Sequence, residues 1–436
     1  MKIGILGGGL TGLSLGLFLK HDFEILEKEK ECGGLCRSIQ ENGFTFDYGG
    51  GHILFSRDEE ILNFMLKLLS DNIVKCKRNS KIFYNGIYIK YPFENGLSDL
   101  PLQENYECLN DFIDVLIKSS KGELKEPYNF QEWIYNTFGK GIAEKYLIPY
   151  NKKIWNFDPQ NMGIDWIKIK DRLPKPNPED IIKSALGVKT EGYKAQLYFY
   201  YPKNGGIQSL IREMEKRIKN ITRKFNIKRI FKRKDKWLVS NGFIEKRFDK
   251  LVSTIPLHDI ILMLEKVPEK VKKAVNDLKF NSLMTVLIGI DQDNLFDKHW
   301  IYIPDMKMKP HRIICPTANT KETAPQGKSS LMAEITCKFG DSYWNKFDSE
   351  IINEVINDLH ERKIIDKNKV IYKKLMRSKY AYVIYDLDYQ KNIRIVKDFF
   401  NEIGIELCGR FAEFKYLNMD ACIRSALEMA KKLNSK

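Results

Sequence analysis

Hydrophobic residues along this chain follow two alternating periods, one of strands and one of helices. Residues 1–6 (MKIGIL) form a short apolar run that predicts a buried strand, and residues 13–19 continue as an apolar segment of helical character. A second strand is expected over residues 23–26 (FEIL). Residues 59–70 put Ile61, Phe64, Met65 and Leu68 on one helical face, and residues 81–91 read as strand, Asn85-Gly86 turn, strand. From 104 to 146 the apolar positions Leu109, Phe112, Ile113, Leu116 and Ile117 recur at helical spacing, which predicts a separate helical insertion. Over residues 166–178, Pro174, Pro176 and Pro178 exclude regular helix, so a loop carrying Arg172 is expected there. A strand at 197–201, a helix at 207–221 and strands at 227–233, 236–240 and 248–253 follow. Four more strands at 283–290, 300–304, 312–316 and 329–336 have hairpin-scale spacing, which predicts an antiparallel sheet. A last strand at 405–409 runs into a helix that starts near Asp420.

These elements sort into an α/β protein: a discontinuous Rossmann-like domain, a helical insertion and an antiparallel β-sheet domain. The Rossmann-like domain is expected from residues 1–75, 203–262 and 391–436, and the sheet domain from 76–103, 191–202 and 263–390. Residues 104–190 make the helical insertion with its loop.

Length and composition agree with this division. At 436 residues, with 43% hydrophobic and 30% charged residues, the chain can build two or three domains with ample cores. No apolar run approaches the length that spans a membrane, and residue 1 leads directly into a core strand, so a cytoplasmic protein without a membrane span is expected. The eight cysteines are scattered without metal-ligand spacing, and no metal is expected. A net charge of +15 raises the question of nucleic acid, but no recognition motif accompanies the lysines, which read as dispersed along the chain; no nucleic-acid partner is expected. A cationic pocket for a nucleotide diphosphate is the more useful reading of that charge.

Candidate chemistry begins at Gly7-Gly8-Gly9-Leu10-Thr11-Gly12, a G-x-G-x-x-G turn between the first strand and helix. Such a turn offers backbone N–H groups and a helix N-terminus to a pyrophosphate, and Glu27, twenty residues past Gly7, is spaced to take ribose hydroxyls. Two further glycine clusters, Cys32-Gly33-Gly34-Leu35-Cys36-Arg37 and Phe46-Asp47-Tyr48-Gly49-Gly50-Gly51-His52, exceed what a nicotinamide nucleotide needs. An extended FAD needs them, for close backbone approach at its second phosphate and its flavin ring.

The pattern E-K-x-x-x-x-G-G-x-x-R-S followed by F-D-Y-G-G-G-H resembles the flavoprotein superfamily of amine oxidases, protoporphyrinogen oxidase and UDP-galactopyranose mutase. Through most of its length the chain is most similar to the UDP-galactopyranose mutase family, in its eukaryotic-type branch. The resemblance implies an FAD-dependent isomerase whose reduced form is active. It would convert a UDP-hexose between pyranose and furanose forms with flavin N5 as nucleophile and no net redox change. The implied cofactor-binding residues are Gly7, Gly9, Leu10, Thr11, Gly12, Glu27, Lys28, Gly34, Leu35, Arg37, Gly50, Gly51 and His52, joined by Gly409, Arg410, Asn418 and Met419 near the C-terminus. Arg172 in DRLPKPN resembles the mobile-loop arginine that closes on the substrate diphosphate. Trp300-Ile301-Tyr302-Ile303-Pro304 with Arg312 resembles the W-x-Y-x-P segment and its second diphosphate arginine. Gly409-Arg410 with Tyr416 resembles the element in which the arginine lies by the flavin and the tyrosine holds phosphate. Tyr382 stands where another phosphate-binding tyrosine is expected, with Val383 in place of the family's proline.

Arg172, Arg312 and His52 are thus the catalytic candidates, and Arg172, Tyr302, Arg312, Tyr382 and Tyr416 the substrate-binding ones. An FAD-dependent oxidoreductase of the amine oxidase, protoporphyrinogen oxidase or desaturase kind shares the cofactor motifs, and a non-catalytic flavin-binding protein is a further alternative. The sequence leaves the sugar nucleotide, the reductant and the oligomeric state open.

Overall fold

The computed structural model describes residues 1–168, 176–191 and 197–435. Its first sheet has five strands in the order Ile405–Leu407, Lys250–Ser253, Lys2–Leu6, Asp22–Leu26, Ile221–Thr222, all parallel. The N-terminal strand lies at its centre, which is why its apolar residues are unbroken: Ile3, Ile5 and Leu6 are fully buried. Helices Leu10–Phe18 and Met419–Asn434 pack together on this sheet, and a core of Leu13, Leu15, Ile211, Met214, Ile423 and Ala426 fills the contact. Both ends of the chain therefore meet on one sheet.

The second sheet has seven strands, in the order Val370–Val383, Phe280–Ile290, Ser329–Cys337, Arg312–Ile314, Trp300–Tyr302, Ser80–Tyr84, Ile87–Lys90. It is antiparallel except where Trp300–Tyr302 runs parallel to Ser80–Tyr84. Helix Asp348–Glu361 covers one face through Ile351, Val355 and Leu359. The Asn85-Gly86 hairpin is present with positive φ at both residues, as the turn requires. Strand Tyr198–Pro202 pairs with Ile73–Lys77 in a separate two-stranded ribbon.

Three expectations are corrected. Pro178 does not exclude helix; it opens helix Pro178–Ala185 at its first turn, where its missing N–H costs no hydrogen bond, with the Asn177 side chain as cap. The helix expected over 207–221 ends at Glu215, because Ile221 and Thr222 are drawn into the edge of the parallel sheet. The helical pattern expected over 104–146 runs on to 155, within the 104–190 segment: after helices Leu102–Ser120 and Phe130–Ile142, a π turn at Ala143–Leu147 passes into helix Ile148–Trp155.

Among the described residues, no helix is long and apolar enough to cross a membrane, and no group of His, Cys, Asp or Glu could hold a metal ion. All eight cysteines are free and buried.

Candidate active site

The first glycine turn is built as a cradle. A Cβ on Gly12 would fall 2.0 Å from the Gly7 carbonyl oxygen, so glycine there lets the helix start close against the strand. Gly7 has φ +102° and bonds through its N–H to the Leu26 carbonyl. At Gly9 the reason differs: a Cβ would meet no protein atom nearer than Gly34 Cα at 4.0 Å. Gly9 is the N-cap of helix Leu10–Phe18, and no side chain caps that helix. Open space therefore faces uncapped backbone donors, which fits a pyrophosphate. Leu10 and Thr11 are buried in the helix's first turn.

Glu27 is buried, and its two oxygens accept from the Gly8 N–H (2.7 Å) and the Glu29 N–H (2.9 Å). That fixes the carboxylate at the strand end, beside the turn, with Lys28 exposed next to it. The second glycine pair docks on the first: Gly33 donates to the Gly8 carbonyl, and Gly34 lies opposite Gly9. Arg37 donates to the Gly34 carbonyl and stacks its guanidinium on Tyr48, 5.5 Å from the ring centre. The Leu35 carbonyl lies where a Cβ on Gly49 would stand, 2.2 Å away, so the second and third glycine clusters also touch. Asp47 ties them together, accepting from Ser38 Oγ, Tyr201 OH and the Ile207 N–H. Burial pushes the Asp47 pKa up, against those three donors.

From the other chain end, Gly409 closes on Thr11; its Cβ would fall 2.4 Å from Thr11 Oγ1. Helix Met419–Asn434 then presents a second N-terminus, with Asn418 exposed at the cap position and Met419 buried. Arg410 donates to the carbonyls of Ala381 (2.6 Å) and Leu417 (3.1 Å), while its Nε is buried without a partner. Its guanidinium lies 4.3 Å from the Tyr416 ring centre and 5.5 Å from that of Tyr382. Those two tyrosines stack 5.8 Å apart and 7° from parallel.

The third glycine cluster meets the seven-stranded sheet through a residue the sequence reading missed. Glu334 is fully buried; its Oε1 accepts from the Gly51 N–H (3.1 Å), and its Oε2 accepts from Arg312 Nε (2.7 Å) and Nη2 (2.6 Å). One carboxylate thus joins the glycine cluster to the arginine. Burial opposes the Arg312 charge, but Glu334, then Tyr382, Tyr150 and Tyr302, hold its pKa well above the ordinary value. His52, which follows Gly51, has a shielded Nδ1 without a partner. Its pKa is lowered to about 4, by burial first and then by Arg410, with a partial offset from the Gly50 backbone and a further lowering by Arg312. It is neutral at physiological pH.

Tyr302 pairs directly with Arg312 across the strands. Its hydroxyl accepts from Arg78 Nη2 at 2.7 Å, and the Arg78 guanidinium lies 4.8 Å from the Tyr91 ring centre and 5.2 Å from that of Trp300. Helix Ile148–Trp155 spans the two halves of the site: Tyr150 packs edge-on to Tyr302 (5.5 Å), and Trp155 edge-on to Tyr382 (6.0 Å) and Tyr416 (5.9 Å). The Tyr150 hydroxyl is buried without a partner. Arg78, Tyr150, Trp155 and Glu334 were not singled out in the sequence because each lies far along the chain from the motifs it joins. In the sequence, Tyr150 and Trp155 stand five residues apart in YNKKIW, too short a stretch to show a period.

The structure brings Arg312, Tyr302, Tyr382, Tyr416 and Arg410 into one region beside the Gly50-Gly51-His52 turn. Arg172 lies outside the described residues.

The parallel sheet with its glycine turn has the Rossmann-type architecture, and residues 5–68 match the family model for an NAD(P)-binding Rossmann-like domain. More particularly, the whole chain has the fold of UDP-galactopyranose mutase. A crystal structure of reduced UDP-galactopyranose mutase superposes with a TM-score of 0.89 at 22% identity, covering 100% of this chain and 95% of that one. Among curated proteins, dTDP-fucopyranose mutase of Escherichia coli is 23% identical over 212 residues, 44% of this chain and 52% of its own length. Coproporphyrinogen III oxidase of Staphylococcus aureus is 24% identical over 400 residues, 83% of each chain. The chain spans about half the length of the first curated relatives it matches.

Proposed function

We propose that this protein is an FAD-dependent isomerase of a nucleotide sugar, of the UDP-galactopyranose to UDP-galactofuranose type, acting in the cytoplasm with its cofactor reduced. The observation that carries the reading is the chain of contacts through Arg312, Tyr302, Tyr382, Tyr416 and Arg410, tied to the third glycine cluster by Glu334, on a fold shared with a mutase. An arginine among several phenols suits a diphosphate: the guanidinium offsets its charge, and hydroxyls orient it without adding charge.

When bound, reduced FAD supplies the nucleophile for the anomeric carbon, so the protein needs no general-base histidine there. The chain's own residues do the rest. Gly9, Gly34 and the N-terminus of helix Leu10–Phe18 receive the cofactor pyrophosphate, and Glu27 its ribose. Arg312 and Arg172 stabilise the charge that develops on a departing nucleoside diphosphate, Tyr382 and Tyr416 hold its phosphates, and Trp155 with Tyr150 limits the water that reaches the sugar. Neutral His52 adds no positive charge beside Arg410 and Arg312.

The test is to reduce the FAD-loaded protein and follow UDP-galactopyranose and UDP-galactofuranose by chromatography, with dTDP-hexoses in a parallel arm. Interconversion without stoichiometric reductant or oxygen consumption is expected. Oxygen uptake matching product one for one would replace the isomerase with an oxidase. FAD retention without response to any nucleotide sugar would leave only a flavin-binding protein.

A further inference from the structure

The positive charge of this protein is not spread evenly. Residues 223–250 carry eleven Lys or Arg against three Asp or Glu, more than half of the net charge of +15. This segment folds as a three-stranded antiparallel sheet of Arg229–Arg233, Lys236–Ser240 and Glu245–Phe248. One face, with Ile230, Val239 and Phe248 fully or almost fully buried, belongs to the main core. By the pairing register, the opposite face presents Arg229, Arg233, Lys236 and Arg247, with the single acid Glu245, around Phe231 and Leu238, which are themselves buried.

Those two apolar residues belong to no core cluster. The guanidinium groups of Arg229 and Arg233 lie 4.8 and 5.0 Å from the Phe231 ring centre, so arginine stems cover it. Arg229 pairs with Glu265 and Lys236 with Asp249; among the described residues Arg233 and Arg247 have no carboxylate partner.

At one end of this sheet the turn Asn241-Gly242-Phe243-Ile244 projects an apolar tip. Phe243 is 96% exposed and Ile244 55%. The turn is ordered by its own hydrogen bonds: Asn241 Oδ1 accepts from the N–H of Phe243 (3.0 Å) and of Ile244 (2.8 Å), and Gly242 takes φ +95°. A phenylalanine held out by a fixed turn, beside a cationic face, matches a surface that is anionic outside and apolar a few ångströms within.

We propose that the sheet Arg229–Phe248 docks this protein on an anionic phospholipid surface, with Arg233 and Arg247 at the headgroups and Phe243 and Ile244 entering the layer beneath. A single-stranded nucleic acid would also be drawn by the charge, but it needs open ring faces on which bases stack, and the Phe231 ring is covered by arginine. The docking surface is independent of the proposed isomerase activity.

The test is flotation of the full-length, FAD-loaded protein with vesicles of equal parts phosphatidylcholine and phosphatidylglycerol, and with phosphatidylcholine vesicles alone. Binding is expected to the anionic vesicles only and should weaken as salt is raised. Phe243→Ser should bind roughly tenfold more weakly, since the gain from the buried apolar tip is lost. The double variant Arg233→Gln, Arg247→Gln should bind on the order of thirtyfold more weakly, from about one headgroup attraction lost per arginine. Because these side chains are outside the core, circular dichroism and the thermal midpoint should stay as in wild type. Phe243→Trp should shift its emission to the blue on anionic vesicles. Equal binding to both vesicle types, unchanged binding of Phe243→Ser, no emission shift, or displacement of the vesicles by an equimolar single-stranded oligonucleotide would each overturn the proposal.

Discussion

The charge of Arg312 that would meet a substrate diphosphate is already engaged by Glu334, whose other oxygen holds the Gly51 N–H. The carboxylate both aims the fork and moderates its field. Arg312→Ala should lower kcat/KM by a hundredfold or more, about 3 kcal/mol of lost charge stabilisation, with Arg312→Lys between it and wild type because the charge stays and the fork is lost. Arg172→Ala is expected to fall in the same range. Glu334→Gln keeps an acceptor for Gly51 but loosens the arginine, so roughly a tenfold loss in turnover with retained FAD is expected; steady-state kinetics and the flavin spectrum of the purified variant check it. At His52 the folded pKa of about 4 lies below the ordinary 6.5. Between those values the unfolded chain binds a proton that the folded one refuses, so the fold loses stability as pH falls from about 6.5 to about 4 and is unaffected by this residue above that window. Urea unfolding at pH 4.5 and 7.5 should show a smaller acid loss in His52→Asn than in wild type, because the variant has no imidazole to take up a proton on unfolding.

Among the elements, the strand, glycine turn and helix at the N-terminus act as one unit, and its glycines separate two kinds of constraint. At Gly12 a side chain collides with backbone 2.0 Å away, whereas at Gly9 it points into open space. Gly12→Val should therefore lower the thermal midpoint of the protein and its yield of folded chain. Gly9→Val should leave the fold intact, as seen by circular dichroism, while abolishing FAD retention. Equal loss of stability in both variants would mean that the open space at Gly9 has no ligand. The seven-stranded sheet was only partly legible: Val370–Val383, its longest strand, carries Lys373, Lys374, Arg377, Ser378 and Lys379. Those polar residues break the apolar alternation because the strand lies at the sheet's edge and is half exposed midway. Helix Ile148–Trp155 escaped notice for a different reason: eight residues are too few to show a period, and its stability comes from packing of Tyr150 and Trp155 against distant aromatic residues.

On the scale of the whole molecule, the cradle is assembled from segments more than 350 residues apart: Gly9 and Thr11, Gly34, the Gly50-Gly51 turn and Gly409. A ligand that bridges them stabilises the folded state by mass action, without affinity for the unfolded chain. Removing FAD should thus lower the thermal midpoint by at least a few degrees, following roughly 2.7 kcal/mol at a hundredfold excess over Kd, and readdition should restore it; differential scanning calorimetry of apo and reloaded protein checks this. No loss of stability on FAD removal would mean that the chain ends hold together by helix packing alone.

What the sequence determined by itself was local: strand and helix periods, the Asn-Gly hairpin, and the glycine turn in which backbone rather than side chain meets the ligand. These are legible because each depends on neighbours within a few residues and on conformations open mainly to glycine or asparagine. The resemblance to a known family supplied Arg312, Tyr302, Tyr382, Tyr416 and Arg410 as candidates, and the tertiary structure set them side by side. Only the tertiary structure could decide that Glu334 binds both Arg312 and Gly51, that Arg78 donates to Tyr302, or that Tyr150 and Trp155 link the two halves of the site. Those contacts join residues separated by up to 283 positions, and buried charges and phenols find such partners only once the sheets and helices are packed, when leaving them unpaired in a low-dielectric interior would cost more than any local preference.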